Sequence, residues 1–280
     1  MKVYIAVDMP GISGIVDLSQ GWVSGVDYSI GRQLMTKEAA AAATGAFEAN
    51  AQEVVVSDAH ESNGYRNILI EELPEDAWLI SGDERPMGPI EGLHEGFDAL
   101  ALIGYHARHG NEGVLDSTME PNAIFDIRVN GQSMGHIGLA AMVAGHFDIP
   151  VVLVTGDDSA VREAQAILPN THVLCVKESI GRHAARSIHP QKARDQIRQT
   201  IKEALEARDD ISPFKIKSPV NVAITFKYTS MADRASQVPG VKRLEGIRAG
   251  FEAENPAAAY RRLETAVQYA SSAIAANKLI

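Results

Sequence analysis

The chain has 280 residues, 45% of them hydrophobic and 22% charged, enough for one large folded domain or two modest ones. A formal net charge of −10, with no Lys/Arg run, excludes a chain built to neutralise phosphates, so nucleic acid is set aside as a partner. A single cysteine, Cys175, rules out an internal disulfide and fits a reducing compartment.

The first residues, MKVYIAVDMPG, are interrupted too early for a signal peptide. No apolar stretch reaches the roughly 20 residues that a bilayer span requires. The expectation is a soluble, cytoplasmic protein with no membrane partner.

Val3 to Asp8 opens the chain as a short apolar run that ends in a carboxylate. Similar runs follow at Val54 to Asp58, Leu100 to Tyr105 and Pro150 to Gly156. None alternates strictly, as expected of strands buried on both faces. Between them the pattern turns helical. Thr36 to Asn50 is alanine-rich with Thr36 as N-cap, and Ser159 to Leu168 is a second helix. Ile124 to Val129 and Gln132 to Met134 flank Asn130-Gly131, a strong hairpin signal, and a helix follows from about Gly138 to Phe147. Cys175 falls in the apolar run Val173 to Val176 and reads as a buried strand residue. Gln191 to Arg208 places Ile197, Ile201 and Leu205 four apart, an amphipathic helix.

Asp209 to Pro219 holds two prolines and marks a soft boundary. Beyond it come an alternating strand, Val220 to Tyr228, and a final helix from about Pro256 to Asn277. Alternating strands and helices predict an α/β fold, a mostly parallel sheet flanked by helices, with a smaller C-terminal α+β portion. The expected division is 1–212, carrying the functional site, and 213–280.

Asp8, His60 and His106 all stand at or just beyond strand ends, where open α/β sheets bind ligands. A carboxylate and two imidazoles converging there would suit zinc or a related divalent ion. Alternatively, each is independent, Asp8 capping a loop and the histidines satisfied locally. His136, at a helix start, reads as a fourth ligand candidate or as an exposed or capping histidine. Asp157-Asp158 reads as a carboxylate pair or, more simply, as a helix cap. His109 is close enough to His106 to line the same pocket. Gly11-Ile12-Ser13-Gly14 matches no dinucleotide or phosphate fingerprint.

At these positions the chain resembles the DppA family of zinc D-aminopeptidases. The motifs that carry the resemblance are Val7-Asp8-Met9 with Gly11-Ile12-Ser13-Gly14, Asp58-Ala59-His60, Ile80-Ser81-Gly82 and Gly104-Tyr105-His106-Ala107. Val129-Asn130-Gly131, Gly138-Leu139, Val154-Thr155-Gly156-Asp157-Asp158, Val176-Lys177-Glu178 and His189-Pro190 continue it. The resemblance implies a two-domain α/β subunit, a ring-shaped homo-oligomer (a decamer of stacked pentamers) and a small peptide or amide substrate. It also implies two zinc ions per site, with Asp8 bridging and His60 and His106 as ligands.

Three positions depart from the family pattern. Pro10 stands where the family has a glutamate ligand, His136 where it has a second glutamate ligand, and Ser117 where it has the catalytic histidine. Losing two carboxylates removes charge that would offset two divalent cations. A single zinc on Asp8, His60, His106 and His136, or on three of them, becomes the leading expectation. Asp116, Glu120 or His109, beside Ser117, would then supply acid–base chemistry.

Three functions follow from this comparison. The first is a metal-dependent hydrolase of an amide or peptide bond with a remodelled, mononuclear zinc centre. The second is a family-like dinuclear D-aminopeptidase. The third is a non-catalytic ring-forming binding protein. Specificity is expected from the loops Glu61 to Asn67 and Arg108 to Ala123.

Overall fold

The computed structural model describes residues 1–274. In chain order the elements are β1 (Lys2–Val7), α1 (Leu18–Gly21), α2 (Tyr28–Glu48), β2 (Glu53–Asp58), β3 (Ala77–Ile80), β4 (Ala99–Tyr105), β5 (Ile124–Val129) and β6 (Gln132–Ser133). They continue as α3 (His136–His146), β7 (Val151–Asp157), α4 (Asp158–Ile167), β8 (His172–Gly181), β9 (Ala184–Ser187) and α5 (Pro190–Glu206). The last are β10 (Val220–Phe226), α6 (Thr229–Ala235), β11 (Lys242–Glu245), β12 (Arg248–Ala253) and α7 (Pro256–Ser271).

The first sheet has the order β3-β2-β1-β4-β7-β8-β9, parallel throughout except for β9 at one edge. Its central strands are buried on both faces. Val3, Ile5 and Val7 of β1 pack into one core with α2 and α5, while Tyr4 and Ala6 point into the other. The period-2 geometry of a strand enforces this split. The second core lies between this sheet and an antiparallel sheet, β11-β12-β10-β5-β6, with α3, α6 and α7 in the same layer of packing.

The second sheet crosses the expected division at residue 212. β5 and β6 come from the middle of the chain, and β10 pairs with β5, bringing Val222 opposite Val129. A hairpin signal reports only that two neighbouring strands pair; it says nothing about which distant strand extends the ladder.

Helix ends also differ in informative ways. α2 starts at Tyr28, so Thr36 lies inside the helix and buried, and its Oγ1 accepts the Leu69 N–H at 3.1 Å instead of capping. α3 begins at His136, two residues earlier than expected, behind Gly135 as N-cap. α4 has Asp157 as N-cap, its carboxylate accepting the Ala160 N–H at 2.8 Å, which is the capping alternative for that pair. Cys175 is only partly buried. α7 ends at Ser271, and the expected extension to Asn277 reaches beyond the described residues.

α2 and α5 cross at Gly45. A Cβ there would stand 2.4 Å from the Arg198 carbonyl oxygen and 2.5 Å from Ile201 Cγ2. Helix propensity alone favours alanine by about 1 kcal/mol, but the neighbour at this crossing is backbone and cannot yield. Gly45→Ala is therefore expected to lower stability by about 1–3 kcal/mol, the usual cost of overpacking. Urea denaturation measures it, and a stabilised variant would show that the helices separate freely.

Candidate metal centre

β2, β1 and β4 are neighbours, so the polar residues at their carboxyl ends become neighbours too. Asp8 follows β1, His60 lies two residues past β2, and His106 follows β4. The chain runs outward from β1 through β2 and β3, then returns to the opposite side of β1 as β4. Such a switch point opens a crevice at the strand ends. His136 arrives by a different route, as the first residue of α3 after the β5–β6 hairpin.

Asp8 is only 3% exposed, and its two oxygens face different partners. Oδ2 faces His106 Nε2 at 3.2 Å and His136 Nδ1 at 3.7 Å. Oδ1 accepts the Met9 N–H at 2.7 Å and lies 3.0 Å from His60 Nδ1. Burial would raise the pKa of this carboxyl. Hydrogen bonds from His106, His136 and His60 outweigh it and hold the group well below the usual carboxylate range.

One ligand atom each from Asp8, His106 and His136 lie within 4.8 Å of one another, so these three can hold a metal ion. One oxygen and two imidazole nitrogens are a donor set suited to zinc. His106 Nδ1 faces the Ala107 carbonyl at 2.9 Å and donates to it, which turns Nε2 toward Asp8. Burial lowers the His106 pKa but Asp8 raises it more, so a cation at Nε2 displaces a proton. His136 is shifted the other way, by burial and by the neighbouring imidazoles, and stays neutral as a ligand must. Its Nε2 accepts the Met119 N–H at 2.7 Å. That leaves Nδ1 as the nitrogen that would face a cation; the ring's one proton would then sit on Nε2, and the Met119 amide would have to turn away.

His60 stands outside this group. Its Nε2 lies 2.8 Å from the Gly21 carbonyl oxygen, which can only accept, while Nδ1 faces the Asp8 carboxylate. Both ring nitrogens face acceptors, an arrangement that favours the protonated ring. Burial opposes that charge, but the Asp8 hydrogen bond and charge outweigh it and raise the pKa. Asp58 fixes the His60 loop from behind. Its carboxylate accepts the N–H groups of Asn67 (2.5 Å), Ile68 (3.0 Å) and His60 (3.2 Å) and the Asn67 side-chain amide (2.9 Å).

Of the four acid–base candidates, Ser117 and Glu120 line the cavity over the centre. Ser117 Oγ is 3.5 Å from His106 Nε2, the nitrogen that also faces Asp8. A Ser–His–Asp relay needs the two partners on opposite nitrogens, so this is not one. Asp116 and His109 sit behind the cavity wall. Asp116 accepts the Gly110 N–H at 2.8 Å and pairs with Arg182. His109 packs edge-on against Phe125 with ring centroids 5.5 Å apart, and burial lowers its pKa.

The cavity has a volume of about 280 Å³ and draws on both loops expected to carry specificity, through Glu61, Tyr65, Ser117 and Glu120. Arg85 and, from α7, Tyr260 and Glu264 complete the far wall. No motif in the sequence marks these three. Arg85 stacks its guanidinium 4.2 Å over the Tyr65 ring and donates to the Asp58 carbonyl at 2.8 Å. Glu61 and Glu264 are both raised to about 7, chiefly by desolvation, with Glu120, Glu264 and Asp83 adding to the shift at Glu61.

The family model for D-aminopeptidases, peptidase family M55, matches residues 1–265. The chain belongs to the D-aminopeptidase family. A D-aminopeptidase of Bacillus subtilis (strain 168) is 35% identical over 267 residues, covering 94% of this chain and 95% of that protein. The solved structure described as the Zn-dependent D-aminopeptidase DppA from Bacillus subtilis, a self-compartmentalizing protease, superposes with a TM-score of 0.93 at 32% identity. The alignment covers 97% of this chain and 98% of that one. This family member is accordingly an aminopeptidase-like hydrolase with the mixed α/β fold anticipated. No helix among its described residues is long and apolar enough to cross a membrane.

Asp58→Ala leaves several buried N–H donors without an acceptor, which costs on the order of 1–3 kcal/mol for each donor that water cannot reach. The expected outcome is a loss of at least about 3 kcal/mol, together with faster hydrogen exchange across residues 60–68. A loss below about 1 kcal/mol would show that water replaces the carboxylate.

Proposed function

We propose that this chain is a zinc-dependent aminopeptidase with a mononuclear centre held by Asp8, His106 and His136, cleaving small peptides with a free amino terminus. The Bacillus relative's description as a D-aminopeptidase supports the same reaction class here. The observation that carries the mononuclear reading is the divided carboxylate of Asp8. Oδ2 serves the three-ligand group, while Oδ1 faces the Met9 N–H and the His60 ring. Where the family pattern has a glutamate beside Asp8, Pro10 offers no side-chain ligand.

A zinc ion on these residues supplies Lewis-acid polarisation of a scissile carbonyl and an activated water. The chain's own groups do the rest. When protonated, His60 sets a positive charge against Asp8 Oδ1. Glu61, with a pKa of about 7 beside His60, is matched to take a proton near neutral pH. Ser117, whose Oγ is 3.5 Å from His106 Nε2, and Glu120 on the lining of the same cavity are further candidates to carry a proton. Glu264, on the far wall, is placed to accept the substrate's ammonium group, with Tyr65 and Tyr260 closing the cavity around it.

The relative's self-compartmentalising assembly supports a ring-shaped homo-oligomer for this chain, a decamer by family resemblance. Val23, Val26 and Ile30, which are 56%, 90% and 51% exposed, offer an apolar surface for such contacts.

Metal quantification on purified protein is expected to give one zinc per chain, none in His136→Ala and one still in His60→Ala. Two equivalents, with loss of one in His60→Ala, would return His60 to the metal and overturn the mononuclear centre. No zinc at all would favour a non-catalytic ring protein. Glu264→Gln is expected to raise KM about tenfold, the loss of a charge-assisted hydrogen bond, with kcat little changed. Glu264 holds its proton below pH about 7 and is charged above it, so kcat/KM falls as pH drops through 7. In Glu264→Gln that limb flattens; an unchanged KM and profile would remove Glu264 from substrate binding.

A further inference from the structure

Lys177 lies on β8, is 1% exposed and plays no part in the chemistry above. Its ammonium donates to three main-chain carbonyls, those of Pro10, Ile12 at 3.0 Å and Ile15 at 2.6 Å. All three belong to one turn, residues 9–15, which leaves β1 immediately after Asp8. A buried ammonium has three donors and needs three acceptors. Here a single short stretch supplies all of them, more than 160 residues away in sequence.

That turn is wedged between the two strand ends that carry the metal group. The Gly11 N–H donates to the Gly104 carbonyl at 2.8 Å, and a Cβ on Gly11 would stand 2.0 Å from the Tyr105 carbonyl oxygen. The turn therefore rests directly on the backbone that leads into His106. On its outer side the Ser13 N–H donates to Glu38 Oε1 at 2.9 Å, and Ser13 Oγ donates to the Ile188 carbonyl at 2.6 Å. Pro10, with no N–H of its own, can be held through its backbone only by its carbonyl, and Lys177 holds that carbonyl.

We infer that Lys177 is a positioning residue for the metal centre: by gathering the Pro10, Ile12 and Ile15 carbonyls it presses the turn onto β4 and sets the spacing of Asp8 and His106. The inference rests on the metal-binding reading of Asp8 and His106. Desolvation lowers the lysine to about 8, with Asp157 and Glu38 opposing the shift, so the clamp is a cation at neutral pH.

The test uses full-length protein, with zinc affinity measured by chelator competition and amide exchange followed over residues 9–15. Lys177→Met, folded by circular dichroism, is expected to lose 10- to 100-fold in zinc affinity, the range for groups that orient metal ligands. Exchange at Gly11, Ser13 and Ile15 is expected to quicken with it. The core substitution Ile197→Val, which loosens the same sheet face without touching the turn, is expected to keep wild-type affinity. Should Lys177→Met not fold, Lys177→Gln, which keeps an amide donor but no charge, carries the same expectation. Zinc affinity within twofold of wild type in the folded variant overturns the inference and leaves the metal reading standing. A wild-type chain that takes up no zinc overturns both.

Discussion

Everything at this site is arranged around one buried negative charge. The Asp8 carboxylate is out of water, and an isolated ion there would be far too costly to persist. It is tolerated because a backbone N–H and three imidazoles surround it, each from a different part of the chain. That requirement makes the strand order consequential. β2 and β4 must flank β1, and their ends must stay level with it, for His60 and His106 to reach the same carboxylate. The turn after Asp8, clamped by Lys177 and pressed on β4, is part of the same arrangement.

The departures expected from the family resemblance, Pro10 and His136 in place of glutamates, form a chemically consistent set under the proposed mononuclear reading. Neither residue brings a carboxylate to the centre, and both nitrogens of His60 meet acceptors, one of them Asp8. Under the mononuclear reading the one carboxylate has a single divalent ion to offset instead of two. Of the carboxylates raised to about 7, Glu61 follows His60 directly in the chain, while Glu264 comes from α7 to line the same cavity.

Much of the scaffold was legible because parallel strands buried on both faces leave continuous Val/Ile/Leu runs, and the ends of those runs mark where ligands gather. Asp8, His60 and His106 were found that way, and the Asn130-Gly131 turn has positive φ at both residues, as its hairpin signal requires. Thr36 misled because a hydroxyl ahead of an alanine tract looks like a cap, whereas here it serves a distant amide from inside the helix. Arg85, Tyr260 and Glu264 left no trace, since a single polar residue on an amphipathic helix or in a loop has no periodicity to betray which cavity it faces.

The sequence by itself determined the α/β class, the strand ends, the family and the identity of the polar residues at those ends. Each of these depends on local pattern or on motif order. Only the tertiary structure decided that the β5–β6 hairpin joins β10, that His136 thereby reaches Asp8, and that His60 turns its second nitrogen to Gly21. Those outcomes depend on which distant backbone groups meet, and a hydrogen bond between residues tens of positions apart leaves no periodic signal in the chain that makes it.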